Sequence, residues 1–376
     1  SSFKLTSNGA KITNDNSNLK TSSVTISNIE TKRSDINYIE IVYYLVGQEV
    51  LKEEEINKPN IDISENQLVE LEIGETFESP NLTATDVEDG SVDVIFDNDT
   101  VNIHQYGVYY AFYYAIDSDD NRTDAYITVI VREINGIENY YNGVDLNENS
   151  NKLKDDLNKL LNNTLNLQRY DLGNTAIEIM DRDPNNFNNV WLIYNGASIR
   201  GGWNGGKNWA KEHVWAKSAF GSDDEGNVYS ITATPNGYKG IGSDLHNLRA
   251  INPSVNSTHS NLMFTKNKGD EGLPFGLVGI DRTRNNPFTP GKENDYTDKA
   301  FYPGDEHVGD VARILLYMNV TWGLLFREEI DMLIQWHLED PVDTFEIIRN
   351  EIIFSYQGNR NPFIDYPELA EAIYVN

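Results

Sequence analysis

One change of periodicity limits what this chain can fold into more than any other feature. It falls at Asn135-Gly136. Before it, short runs alternate apolar with polar residues; after it, apolar residues recur at helical spacing. In residues 1–57, Ser23-Val24-Thr25-Ile26-Ser27 alternates and Tyr38 to Val46 is a run of β-branched and aromatic residues. These predict a β-rich N-terminal segment with no visible chemistry. Glu53-Glu54-Glu55 and Asn57-Lys58-Pro59-Asn60 read as a solvated linker. Beyond the change, Leu153, Leu157, Leu160, Leu161 and Leu165 predict an amphipathic helix. Asp310 to Trp322, Glu328 to Leu338 and Val342 to Tyr356 predict three more, with Pro341 separating the last two.

Residues 61–133 read as a unit of short strands: Val69 to Ile73, Val92 to Phe96, Gly107 to Ala115 and Ala125 to Val131. Acidic turns at Asp86-Val87-Glu88-Asp89-Gly90 and Asp117-Ser118-Asp119-Asp120-Asn121 separate them. This spacing predicts an antiparallel sandwich. Glu72-Ile73-Gly74-Glu75, Thr83-Ala84-Thr85-Asp86 and Tyr114-Ala115-Ile116-Asp117 resemble the immunoglobulin-like repeats of bacterial surface and secreted proteins. The resemblance implies a spacer or binding arm, with a cell-surface or matrix component as its partner. The acidic turns carry the oxygen ligands that an additional Ca²⁺ would take, and equally those of ordinary solvated turns.

At 376 residues the chain has room for two or three domains. The formal charge of −29 is uneven, since residues 61–135 hold 17 acidic and two basic side chains. Such a balance argues against loose, charge-driven binding of nucleic acid, whose affinity comes from Lys and Arg. A local basic groove is compatible with it, and Lys207, Lys211, Lys217, Lys239, Arg249, Lys266 and Lys268 gather in one region. Cys is absent, so no disulfide framework exists. No run approaches the roughly 18 apolar residues of a membrane span. The chain starts Ser1-Ser2 without a charged and apolar leader, so any signal peptide is expected to be already gone, and the immunoglobulin-like resemblance implies a secreted or surface-associated protein.

Chemistry concentrates between Trp209 and Asn261, where three of the six histidines lie. Glu212-His213 opens the window, and Asp244-Leu245-His246-Asn247-Leu248-Arg249 and Asn256-Ser257-Thr258-His259-Ser260-Asn261 close it. Carboxylate, imidazole and amide without thiol is the composition of a hard-metal or acid–base site. Leu245 to Arg249 predicts a short strand. Asn252-Pro253 reads as an N-cap followed by proline at the first helical position. On that helix Asn256 and His259 would be neighbours, with Asn261 turned about 140° from Asn256. The order is strand, strand, helix. Consecutive strand residues point to opposite faces, so a site using both Glu212 and His213 requires a bend or bulge there.

Trp209 to Phe220, Asp244 to Asn261, Gly309-Asp310-Val311-Ala312-Arg313 and Gln357 to Asp365 together resemble the endonuclease I family of ββα-metal (His-Me finger) nucleases. The likeness spans residues 137–376. It implies a C-terminal mixed α+β nuclease domain with a ββα-metal core, which with the N-terminal all-β, immunoglobulin-like sandwich read from the strands gives a multidomain fold class. It also implies a secreted, metal-dependent endonuclease of low sequence preference, cutting DNA and often RNA to leave 5′-phosphates. By matching positions, His213 is the general base, while Glu212 and Asn261 hold a single Mg²⁺-type ion, with Mn²⁺ or Ca²⁺ as alternatives. Arg249 is the candidate arginine for the phosphate. His246, Asn256 and His259 are expected to orient the site or touch substrate. In Gln357 to Asp365, Arg360 fits either a phosphate contact or a buried tie between helices.

The chain departs from the family pattern at three places. Ala210-Lys211 stands where Asn-Arg is usual, Ala216 where proline follows the tryptophan, and His259 where arginine is frequent. The rival reading is a catalytically inactive surface or adhesion protein that uses the nuclease fold as a scaffold. A third is a Ca²⁺-dependent binding module.

Overall fold

The computed structural model describes residues 4–7, 10–13, 58–221, 232–234, 237–279 and 299–375. The strands expected at Ser23 to Ser27 and Tyr38 to Val46 lie outside them. Two compact units are present, Ser1–Glu55 and Ile56–Asn376. In the first, strands Lys4–Ser7 and Ala10–Thr13 pair antiparallel.

In the second unit, residues 60–132 build two sheets. Asn60–Asp62, Thr83–Asp86 and Gly90–Val92 form one, antiparallel throughout. The other runs in the order Leu68–Glu72, Arg122–Arg132, Gly107–Ile116, Val94–Asp99. One pairing differs from the antiparallel expectation, because Leu68–Glu72 lies parallel to Arg122–Arg132. Residues 73–121 intervene between them, long enough for the crossover that parallel strands require. The sheets share a core of Ile61, Ile63, Ala84, Ala111, Tyr113, Ala115 and Ile127.

Alternation explains one face of this module only. Along Gly107–Ile116, Ala111, Tyr113 and Ala115 are buried at every second position. Along Arg122–Arg132, Tyr126 to Val131 are buried without interruption, as in a sheet covered on both sides. The second cover comes from later in the chain. Phe187 sits edge-on between Tyr110, Phe112 and Tyr126 at centroid distances of 5.0, 5.0 and 5.1 Å. The Arg182 guanidinium lies 3.8 Å from the Phe187 ring centre. The Tyr126 hydroxyl donates to the Asp183 carbonyl at 2.8 Å, and Arg132 pairs with the buried Glu351 at 2.9 Å. The module expected to act as an arm is packed onto the rest of the unit. No described group of three His, Cys, Asp or Glu forms a metal cluster. The acidic turns are closed by their own backbone: Asp86 accepts from the amides of Glu88 and Asp89, and Asp117 from those of Asp119 and Asn121. The Ca²⁺ site expected in residues 61–133 therefore finds no such cluster among the described residues.

The remainder is helical around Val308–Trp322. This helix is buried on every side except at its last residue, as befits a central helix. Ser150–Thr164, Ile330–Glu339 and Pro362–Asp365 pack against it, and Leu369–Tyr374 packs on those three. Local chemistry sets the ends. Asn149 caps the first of these through the amide of Lys152. Asp343 and Glu346 form a reciprocal capping box at the start of Thr344–Gln357. No described helix is long and apolar enough to cross a membrane.

Gly309 fixes how closely the central helix approaches its neighbour. A Cβ added there would lie 2.1 Å from the Asp340 carbonyl oxygen and 2.5 Å from Arg313 Nη2. The first is backbone and the second is held by Glu346, so neither yields. Gly309→Ala is expected to lower unfolding free energy by about 2 kcal/mol or more. Urea denaturation against the parent protein checks this, and an unchanged midpoint would show that the contact relaxes.

Candidate active site

Ala210–His213 pairs antiparallel with Leu248–Ile251, and the helix Pro253–His259 follows directly. The helix starts where the sequence places it, with the Asn252 side chain accepting from the amides of Ser254 and Val255. The second strand starts later than expected. Leu245–Asn247 is a single 3₁₀ turn, because the Asp244 carboxylate caps the His246 amide at 3.1 Å. Asn247 then fastens the strand end, accepting from the Trp215 amide at 2.7 Å and donating to the Trp215 carbonyl at 3.1 Å.

The expected bulge is absent. Register runs unbroken from Ala210↔Ile251 to His213↔Leu248, so Glu212 and His213 leave the ladder on opposite sides. His213 is the terminal residue of its strand, and the Glu212 charge still acts on it, favouring its protonated form.

Glu212 is buried, and two donors converge on its Oε1: Tyr194 Oη at 2.9 Å and His259 Nδ1 at 2.6 Å. Oε2 makes no bond among the described residues. Tyr194 was not legible as a site residue. Its phenol is held in the protonated, donating form because burial, and then the Glu212 charge, push its pKa well above the usual range. The His259 ring stacks on Phe264 at 4.8 Å.

His213 is held on three sides. Its Nε2 lies 2.8 Å from the Gly242 carbonyl, Tyr170 stacks nearly parallel at 5.7 Å, and Phe220 meets it edge-on at 6.0 Å. A carbonyl only accepts, so Nε2 carries the proton and Nδ1 keeps its lone pair. Burial lowers the imidazole pKa, and the neighbouring Lys217 and Lys211 charges lower it further.

The other expected residues separate into two groups. Asn256 lies beside the ladder: its Nδ2 donates to the carbonyl of Lys211, the residue before Glu212, at 3.3 Å. Asn261 does not share its helix. Helical backbone stops at His259, Ser260 takes φ 50, and Asn261 falls in the exposed turn beyond. The rotation expected between the two asparagines therefore does not apply.

Arg249 and His246 belong to the interior. Arg249 sits opposite Glu212 in the ladder, yet its guanidinium is buried in ion pairs with Asp181 at 3.2 Å and Asp310 at 3.1 Å, with 1% of the side chain exposed. His246 lies on Tyr317 at 4.3 Å, and its Nε2 is 3.4 Å from the Asn359 carbonyl. Arg360 is the buried tie, bonded to Asp365 and Glu351.

Of the gathered cations, Lys211 donates to the Tyr170 carbonyl at 2.8 Å and lies 3.6 Å from that ring's centre. Burial lowers its pKa to about 8. Lys268 pairs with Asp305, while Lys207, Lys217 and Lys266 are exposed.

The profile of the Endonuclease I family matches residues 149–368. An extracellular ribonuclease of Bacillus subtilis is 33% identical over 260 residues, covering 63% of this chain and 78% of the relative. One from Bacillus amyloliquefaciens is 34% identical over 258 residues, with coverage of 63% and 78%. An extracellular deoxyribonuclease of Aeromonas hydrophila is 30% identical over 124 residues, covering 32% of this chain and 48% of that one.

Two buried histidines outside the ladder, His246 and His337, make stability depend on pH. Burial, and then the charge of Arg349, depresses His246 well below its ordinary value. Burial and the Arg313 charge hold His337 at about 4. In the unfolded chain both rings take protons near pH 6.5. Their contribution to stability is thus complete above pH 6.5 and is lost as the pH falls toward about 4. Calorimetry should show Tm dropping across that window, with a shallower drop in His337→Gln.

Proposed function

Because the chain belongs to the Endonuclease I family, we propose that it is a secreted endonuclease hydrolysing phosphodiester bonds of DNA and RNA, with His213 as general base. The observation that carries this is the Nε2 bond to the Gly242 carbonyl. It fixes the tautomer and plane of a neutral imidazole, so that Nδ1 can take a proton from an attacking water. The relatives named for ribonuclease and for deoxyribonuclease activity support a site that recognises the phosphate backbone rather than the sugar.

The oxygen donors suit a hard divalent cation of the Mg²⁺ type. Glu212 Oε1 is taken up by two donors, while Oε2 has no hydrogen bond among the described residues. Asn256 Nδ2 donates to the Lys211 carbonyl, and that amide's oxygen accepts no hydrogen bond among the described residues. A carboxylate plus an amide oxygen is a small set, appropriate to an ion that keeps several waters. When bound, such an ion supplies positive charge to the scissile phosphate and the leaving oxygen. Glu212 and Asn256 would hold it; Asn261, the ligand expected from matching positions, is less well placed beyond the helix end. Glu212 and His213 leave an unbulged ladder on opposite faces, so their use at one phosphate rests on the chain bending at Val214 and Trp215, directly after His213 ends its strand.

The test is cleavage of plasmid and of single-stranded RNA with Mg²⁺, Mn²⁺, Ca²⁺ or EDTA. His213→Ala is expected to lose about 10²–10⁴-fold in rate, and EDTA to abolish cutting. A folded His213→Ala protein that cuts like the parent would remove His213 from the mechanism. Asn256→Ala and Asn261→Ala, titrated with Mn²⁺, decide the amide ligand: only Asn256→Ala should need more ion for half-maximal rate.

A further inference from the structure

Tyr194 occupies a backbone position that a tyrosine rarely takes. Its φ is 76°, in the left-handed region where a bulky side chain is an outlier and costs roughly 1–3 kcal/mol. The next two residues, Asn195 and Gly196, are the types that tolerate this region, and Gly196 itself sits at φ 61. The conformation is enforced from outside. A Cβ on Gly304 would lie 2.7 Å from the Tyr194 carbonyl oxygen, so the segment before the central helix closes directly over this turn. The ring is fixed as well, with Phe301 at 5.0 Å and His259 at 5.6 Å between centroids. Strain persists where the surroundings over-determine it and where it has a use. Among the described residues, the polar contact of this side chain is its hydroxyl on Glu212 Oε1 at 2.9 Å.

We propose that Tyr194 is a positioning residue for the metal site: the strained turn aims its hydroxyl at Glu212 Oε1, fixing the carboxylate so that Oε2 faces the cation. His259 holds the same oxygen from the helix at 2.6 Å. Two donors from separate elements therefore define the carboxylate plane before any ion arrives. A single donor would leave rotation about the last side-chain bond, and ion binding would have to arrest it. Partners of this kind typically change metal affinity by 10–100-fold when removed. This inference rests on the reading of Glu212 as an ion ligand.

The experiment is Mn²⁺ binding to the full chain by calorimetry without nucleic acid, comparing parent, Tyr194→Phe and Glu212→Gln. Tyr194→Phe keeps the ring and its packing and deletes only the hydroxyl. Its Mn²⁺ dissociation constant is expected to rise about 10–100-fold, with cleavage at saturating Mn²⁺ recovering toward the parent rate. A merely structural hydrogen bond would lower Tm in ion-free protein and leave the dissociation constant alone. Affinity within twofold of the parent therefore overturns the inference, whatever happens to Tm. If Glu212→Gln binds Mn²⁺ as the parent does, the ligand reading itself fails and takes this inference with it.

Discussion

The site strand is anchored by charges buried behind it. Asp181 has no exposed surface and accepts from Arg349 Nε at 2.8 Å and from the Ala250 amide at 2.5 Å, with Arg249 3.2 Å away. Arg249 bridges onward to Asp310 on the central helix, which His307 also meets at 3.1 Å. Arg313 on that helix makes a two-pronged pair with Glu346, at 2.6 Å in each arm. The strand Leu248–Ile251, the central helix and Thr344–Gln357 are thereby locked at one mutual position. Such a lattice adds little net stability, since each ion lost its water. Removing one member would strand another charge in the interior, at a cost of about 3–5 kcal/mol. Its effect is to admit a single arrangement of these three elements.

Everything in front of the lattice depends on that arrangement. The strand fixed by Asp181 pairs with the strand carrying Glu212 and His213, and the Asn252 cap turns it into the helix carrying Asn256 and His259. Two strands and a helix are thus referred to one buried floor. Glu212 and His213 have each lost an atom to a fixed partner, Oε1 to Tyr194 and His259 and Nε2 to Gly242. In the proposed mechanism each keeps one atom for chemistry, and preorganisation of this kind would lower the reorganisation required when substrate and ion arrive.

The strand module is built into the same unit. Phe187 enters a cage of three aromatic rings, and Glu351 receives Arg132 from the module and Arg360 from the C-terminal segment. The uninterrupted burial of Tyr126 to Val131 records this second face. In the sequence the same run reads as a hydrophobic strand like any other, because what covers it lies more than 50 residues away.

Local chemistry by itself determined where elements begin and what they are. The change of period at Asn135-Gly136 separates strands from helices. Helices over Val308–Trp322, Ile330–Glu339 and Thr344–Gln357 follow the predicted spans closely, and Asn252-Pro253 starts its helix as read. These are decided by neighbours a few residues apart. The strand–strand–helix order around Glu212-His213 was legible for the same reason. Roles that depend on distant partners were decided by the tertiary structure alone. Arg249 reads as a free cation beside a histidine, yet two carboxylates 68 and 61 residues away claim it. Asn261 reads as the end of a helix that Ser260 has already terminated. Tyr194 carries no motif, and becomes visible only once folding brings its hydroxyl to Glu212. An arginine, an amide or a phenol has the same local signature whether it is buried in a lattice or aimed at a site. Only the partner that desolvates it settles which.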